Sequence, residues 1–171
     1  QKTPAAFIDR DGVINRDLGY TYQTCDLELI KGVPQALQKL RSNGFLLIII
    51  TNQSGVARGY YGLKDVENFH NNLNLQIKAA IGKPFDGIFV CPHLASGSVA
   101  EYSVKCRCRK PEVGLLEQAV ERFNIDLAHS VMIGDKPSDV LCGYNFGVRT
   151  VQICPPEQKI TEADASAEDL Q

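Results

Sequence analysis

Short apolar runs alternate along this chain with longer stretches whose apolar residues recur every three or four positions. Pro4-Ala5-Ala6-Phe7-Ile8 reads as a short buried strand that runs straight into acidic residues. Val33, Ala36, Leu37 and Leu40 lie on one helical stripe, and Gly44 supplies a stop signal after it. Phe45 to Ile50 is continuously apolar, as expected of a strand covered on both faces. Leu63 to Ile81 repeats the helical period through Val66, Phe69, Leu73, Ile77 and Ala80. Further strands are predicted over Gly87–Val90, Ser130–Ile133 and Val148–Ile153, and further helices over Glu112–Phe123 and Pro137–Phe146. Pro137 suits the first turn of its helix, where the missing N–H costs nothing.

Strand and helix in alternation predict an α/β fold, a three-layer, doubly wound and mostly parallel sheet. The 171 residues suffice for one compact domain, and no internal repeat or second domain is visible. The stretch from Leu94 to Lys105 is small and polar and reads as a loop. The tail from Pro155 is polar and acidic and is expected to be poorly ordered.

The formal charge of −2 leaves no long-range field to attract nucleic acid or an anionic membrane. Any phosphate site must therefore be built locally from a few placed cations and backbone N–H groups. No apolar run is long enough to span a bilayer, and no secretion-signal pattern opens the chain. A cytoplasmic monomer acting on a small molecule, with no nucleic acid or membrane partner, is the expectation.

The chemistry gathers where three apolar runs end: Asp9-Arg10-Asp11-Gly12, Thr51-Asn52-Gln53-Ser54-Gly55 and Gly134-Asp135-Lys136. In an open α/β sheet, ligands bind beyond the carboxyl ends of the strands, so these groups should converge on one crevice. Asp9 and Asp11, two apart on an extended chain, lean to the same side and repel unless a cation intervenes. An all-oxygen ligand set with Asp135 favours Mg²⁺. One aspartate is then available as a nucleophile and the other as a general acid and base. The plainer reading, a pair of acids capping a turn before Gly12, leaves the other two strand ends unexplained. Arg58, soon after the second strand end, reads as a surface ion pair or as a contact for a second substrate phosphate. No Walker glycine loop is present, which argues against nucleoside triphosphates.

Three of the six cysteines join a histidine in a C-x-H … C-x-C pattern, Cys91-Pro92-His93 and Cys106-Arg107-Cys108. Three thiolates and an imidazole suit tetrahedral Zn²⁺, and a closed four-ligand shell makes such an ion structural. The intervening loop has little apolar content, and metal ligation would replace its missing core. Cys25, Cys142 and Cys154 read as ordinary thiols, and His70 and His129 as packing or surface residues.

The segments FIDRDG, IIITN, CRKPE and IGDKPSD, in that order, resemble the signatures of the haloacid dehalogenase (HAD) superfamily of phosphatases. The resemblance spans Phe7 to Asp139. It implies that Asp9 attacks phosphorus and that Asp11 protonates the leaving alcohol and then activates water. Thr51 and Asn52 would bind phosphoryl oxygens and Lys110 would offset transition-state charge. Asp9, the Asp11 backbone carbonyl and Asp135 would hold Mg²⁺. Asp139 is either a carboxylate behind the metal or a helix-face residue.

RDLGY, TNQSGVARG, CPH and CRCRKP extend the likeness to the branch of that superfamily that removes the 7-phosphate from a heptose bisphosphate on the way to surface glycans. In that branch the pocket is lined by residues matching Asp17, Leu18, Gly19, Tyr20, Thr51, Asn52, Gln53, Ser54, Arg109 and Lys110. The branch lacks a cap domain, and neither Asn15–Gly32 nor Thr51–Gly87 has room for one. Histidinol-phosphate phosphatases share FIDRDG, CPH and CRKP and form the rival enzyme reading. A zinc-braced binding module without catalysis is the non-enzyme alternative.

Overall fold

The computed structural model describes all 171 residues. Six strands form one sheet: β1 (Ala5–Ile8), β2 (Leu46–Asn52), β3 (Gly87–Cys91), β4 (Val131–Gly134), β5 (Arg149–Ile153) and β6 (Ala165–Ala167). Their order across the sheet is β3-β2-β1-β4-β5-β6, and every pairing is parallel. The order reverses direction at β1, so the crevice at the carboxyl ends opens between β1 and β4. The longer helices are α1 (Val33–Ser42), α3 (Leu63–Ile81), α4 (Gly114–Arg122) and α5 (Pro137–Phe146), with a single turn α2 (Gly55–Arg58) after β2.

Alternation along the strands assigns side chains to the two faces. Ala5, Phe7, Ile48 and Ile50 pack with Leu115, Leu116 and Ala119 of α4 and Cys142 of α5. Ala6, Ile8, Leu47 and Ile49 pack with Val33 and Leu37 of α1 and Leu73 and Ile77 of α3. Strands buried on both faces are the reason their sequences are continuously apolar. Phe7 is fully buried, and truncating it to alanine would cost about 3–5 kcal/mol.

The tail is a correction to the sequence reading. Residues 165–167 add β6 to the sheet edge, with Cys154 N–H bonded to Ala167 O. Asp164 accepts from the Thr150 N–H at 2.8 Å, and Ala163 is buried. Polar composition hid this strand because it is short and paired on one side only. No helix is long and apolar enough to cross a membrane.

Candidate active site

The expected convergence is present, with one change in its membership. The carboxylates of Asp9, Asp135 and Asp139 lie with ligand oxygens within 4.8 Å of one another. Asp11 is not part of that group. Its Oδ1 accepts from Arg10 Nη2 at 2.7 Å, Arg10 Nε at 3.0 Å and Asn15 Nδ2 at 3.1 Å, and its Oδ2 accepts from Gln53 Nε2 at 3.0 Å. Arg10, which separates the two aspartates in sequence, draws the second carboxylate away from the first.

Lys110 holds the centre together. Its Nζ donates to Asp9 Oδ1 at 2.8 Å and to Ile50 O at 2.7 Å, and it pairs with Asp139 Oδ1 at 2.6 Å. Its backbone is fixed beside β2 by reciprocal bonds to the Asn52 amide, Lys110 N–H to Oδ1 at 3.1 Å and Asn52 Nδ2 to Lys110 O at 3.3 Å. The Lys110–Pro111 peptide is cis. Burial by itself would lower the Lys110 pKa, but the Asp9 and Asp139 carboxylates outweigh it, so the group stays protonated far into the alkaline range. Burial pushes the Asp9 carboxyl well above its ordinary range; Lys110 pulls it down, and Asp139 and Asp135 push it up again. Burial also raises Asp135, and Asp139 adds to the shift.

These observations fit a divalent cation. The three clustered acids have one buried ammonium among them, paired with Asp9 and Asp139 only, and Asp135 Oδ1 is buried without a hydrogen-bond partner. Both Asp139 oxygens are occupied, by Lys110 and by the Lys136 N–H that it caps at 3.1 Å. That leaves Asp9 and Asp135 to face an ion, with Asp139 behind them. Gly12 has φ +83, and a Cβ there would overlap Asp135 Oδ2. Gly12→Ala is therefore expected to displace Asp135 and raise the Mg²⁺ concentration needed for half-maximal activity by about tenfold. A magnesium titration of the variant checks this.

Outside this centre lies a polar cavity of about 530 Å³, lined by Asp11, Asp17, Gly19, Tyr20, Asn52, Gln53, Ser54, Arg58, Tyr61, Arg109, Lys110, Pro111, Lys136 and Ser138. Most of the residues expected in a substrate pocket are therefore here, with two exceptions. The Leu18 side chain is 55 % exposed and lines none of it. Thr51 is buried and takes a 2.8 Å bond from Gln53 Nε2 behind the wall. Arg58 is in no ion pair; its Nε and Arg109 Nη1 are buried without partners. Such unpaired guanidinium donors are costly unless an anion meets them.

Four residues went unassigned in the sequence. Lys136 and Ser138 follow Asp135 and line the mouth, a position their place after a strand end could have suggested. Tyr61 donates to Gln53 Oε1 at 2.7 Å, and burial raises its hydroxyl to about 12. Arg10 is fully buried, which no hydropathy pattern predicts for arginine. His70, a packing residue as expected, has a ring pKa lowered to about 3 by burial and by Arg10. The unfolded chain binds a proton there near pH 6.5 and the folded one does not, so stability falls as pH drops below 6.5. Between pH 7 and 5 the loss should be about 2 kcal/mol. Denaturant titrations at the two pH values check it, and His70→Gln should show a shallower dependence.

At the other end of Lys110's loop, Cys91, His93, Cys106 and Cys108 bring their ligand atoms within 4.8 Å of one another. Cys91 Sγ lies 3.6 Å from Cys106 Sγ and 2.8 Å from Cys108 Sγ, and His93 Nδ1 lies 3.3 Å from Cys108 Sγ. All four thiol–imidazole groups point inward and none is in a disulfide. Cys91 ends β3 and Cys108 immediately precedes Arg109, so the cluster ties the sheet to the two cations of the site.

Comparison with known proteins follows the same line. A HAD-hydrolase-like family model matches residues 107–165. The chain is 40 % identical over 166 residues to the D-glycero-beta-D-manno-heptose-1,7-bisphosphate 7-phosphatase of Haemophilus ducreyi, covering 97 % of this chain and 91 % of the relative. It is 41 % identical over 147 residues to the D-glycero-alpha-D-manno-heptose-1,7-bisphosphate 7-phosphatase of Photorhabdus laumondii, covering 86 % and 80 %. The crystal structure of D,D-heptose 1,7-bisphosphate phosphatase from B. bronchiseptica, complexed with magnesium and phosphate, superposes with a TM-score of 0.84 at 26 % identity, covering 98 % and 93 %. A doubly wound sheet with acids, a lysine and an amide at its strand ends is the framework of a HAD-like phosphatase. At this identity and coverage the chain belongs to the D-glycero-D-manno-heptose-1,7-bisphosphate 7-phosphatase family.

Proposed function

We propose that this protein hydrolyses the 7-phosphate of D-glycero-D-manno-heptose 1,7-bisphosphate, leaving the 1-phosphate, in the synthesis of nucleotide-activated heptose for surface glycans. The observation that carries this reading is the pairing of two adjoining sites that share Asp11, Asn52, Lys110, Lys136 and Ser138 in their walls. A buried Asp9–Lys110–Asp139 centre can take one phosphate, and the Arg58 and Arg109 side chains that line the adjoining cavity can take another.

Asp9 attacks phosphorus as its bond to the sugar oxygen breaks, giving an aspartyl-phosphate. Asp11 gives its proton to the departing sugar oxygen. It then takes a proton from water, which attacks phosphorus, breaks the bond to Asp9 and releases inorganic phosphate. Lys110 restrains Asp9 and offsets the negative charge on the transferring group. The Asn52 side chain holds the Lys110 backbone, and Thr51 and Gln53 steady the wall behind it. Asp9, Asp135 and the Asp11 carbonyl would hold Mg²⁺, which when bound supplies positive charge to the phosphoryl oxygens. Asp17, Gly19 and Tyr20 form the outer lip, where hydroxyls of the sugar would bond.

The Cys91–His93–Cys106–Cys108 cluster would hold a structural Zn²⁺. The 3.6 Å between Cys91 and Cys106 is near the roughly 3.8 Å expected of sulfurs around an ion with 2.3 Å bonds, and the 2.8 Å between Cys91 and Cys108 would have to open to admit it. Thiolate ligands persist in a reducing compartment, which supports a cytoplasmic location. It acts there as a monomer on a small sugar, without nucleic acid or membrane partners.

The test is magnesium-dependent phosphate release, with an EDTA control, from the heptose bisphosphate and from histidinol phosphate. The bisphosphate should be preferred by at least about tenfold in kcat/KM, the contribution expected of one extra bidentate guanidinium contact. Equal turnover of the two would remove the heptose assignment. No release from any phosphomonoester would leave the zinc-braced binding module standing.

A further inference from the structure

Asp11, the proton carrier, is held by the arginine that precedes it. Arg10 is completely buried, although it is the largest polar side chain in the interior. Its Nε and Nη2 reach Asp11 Oδ1, and Nη2 also donates to Thr21 O at 2.7 Å. Its guanidinium carbon sits 4.3 Å from the centre of the Phe69 ring, and Nη1 meets His70 Nε2 at 3.1 Å. Phe69 and His70 both come from α3, so one helix grips the guanidinium from its face and from its edge. Nη1 can only donate, so the His70 ring must be neutral with Nε2 as acceptor.

We propose that His70 is a positioning residue: by accepting from Arg10 Nη1 it fixes the guanidinium plane, and through it the aim of the Asp11 carboxylate at the leaving oxygen. This rests on the reading of Asp11 as the general acid. Without an acceptor at position 70, one N–H of a buried cation has no partner, and the guanidinium tilts about its remaining bonds. The ion pair to Asp11 is kept but its direction is not. Asp11 lines both the outer cavity and the small space at Asp9, so a change in its direction moves it relative to the reacting atoms.

Leaving-group chemistry separates positioning from mere packing. Expulsion of a sugar alkoxide needs the proton from Asp11, whereas p-nitrophenolate leaves almost unaided. In His70→Leu, kcat/KM for the heptose bisphosphate should fall about tenfold and that for p-nitrophenyl phosphate less than about twofold, part of the 10²- to 10⁴-fold a general acid supplies. His70→Gln, whose amide reaches the place of Nε2, should restore the sugar reaction to within about threefold; His70→Asn, which is too short, should not. If the leucine variant does not fold, the glutamine–asparagine pair decides the matter. Equal losses on both substrates, or equal activity of the glutamine and asparagine variants, would overturn the proposal while leaving the phosphatase reading intact. Wild-type protein inactive on both substrates would overturn both.

Discussion

Asp9→Asn is expected to lower kcat by on the order of 10⁴-fold or more while leaving the fold unharmed. Asp9 directly follows β1 at the switch of strand order, 5 % exposed, and Lys110 Nζ holds it at 2.8 Å. Asp135 has an oxygen without a partner, but it is the proposed metal ligand and lines neither the outer cavity nor the small space at Asp9. Asp139 gives one oxygen to Lys110 and the other to the α5 N-terminus, and Asp11 is surrounded by donors. Asparagine has the same shape and can still accept from Lys110, but it cannot form the acyl phosphate. The same change removes one of three crowded buried charges, which burial and the neighbouring acids disfavour. The variant should therefore melt no lower than the wild type. Thermal melts beside steady-state assays check both halves, and a variant that keeps a tenth of its activity would contradict the role given to Asp9.

Stripping the thiolate cluster should produce the second large effect, this time on stability and activity together. The loop from Leu94 to Lys105 has little apolar side-chain packing of its own, and the cluster is what joins its two ends. Cys108 leads directly into Arg109 and Lys110, and the Lys110 backbone needs to sit against Asn52 for its ammonium to reach Asp9. Loss of the ion would leave three thiols and an imidazole crowded without charge compensation. The expected cost is about 3–5 kcal/mol, a melting shift on the order of 10 °C for a chain of this size. Turnover should fall at least about tenfold even with saturating Mg²⁺, because Lys110 loses its anchor. Cys106→Ser is a milder version of the same experiment. Metal analysis should find one zinc per chain before stripping, and full activity in a zinc-depleted, magnesium-loaded sample would detach the cluster from the active site.

Much of this arrangement was legible in the sequence because it depends on local pattern. Doubly buried strands announce themselves as unbroken apolar runs, and the polar residues that end them fall at the carboxyl edge by topology alone. Asp9 and Asp135 are legible that way, Lys110 only through the resemblance of its CRKPE segment to a family signature, and the cysteine–histidine spacing marks the cluster. What stayed hidden depends on contacts between segments far apart in the chain. Arg10 lies beside Asp11 in sequence, but its burial is set by Phe69 and His70 on α3, sixty residues away for His70. The same holds for Asp139, whose role follows from Lys110 reaching it across the crevice. Side-chain direction was the other blind spot. Alternation places Asp9 and Asp11 on one side, yet a neighbouring guanidinium turns Asp11 away from the acid cluster. Strand β6 escaped notice because three small residues carry no periodic signal, and its existence follows from the free edge of β5.

Every role proposed for the site follows from passage of phosphate through a covalent bond to Asp9. Rapid acid quench of enzyme mixed with a short excess of the bisphosphate, followed by borohydride reduction and peptide mass spectrometry, reads this directly. An aspartyl-phosphate is reduced to homoserine, and the account predicts that conversion at position 9 alone, dependent on Mg²⁺ and absent in Asp9→Asn. Steady release of inorganic phosphate with no modified residue at position 9, or with homoserine found at Asp11 instead, would contradict it.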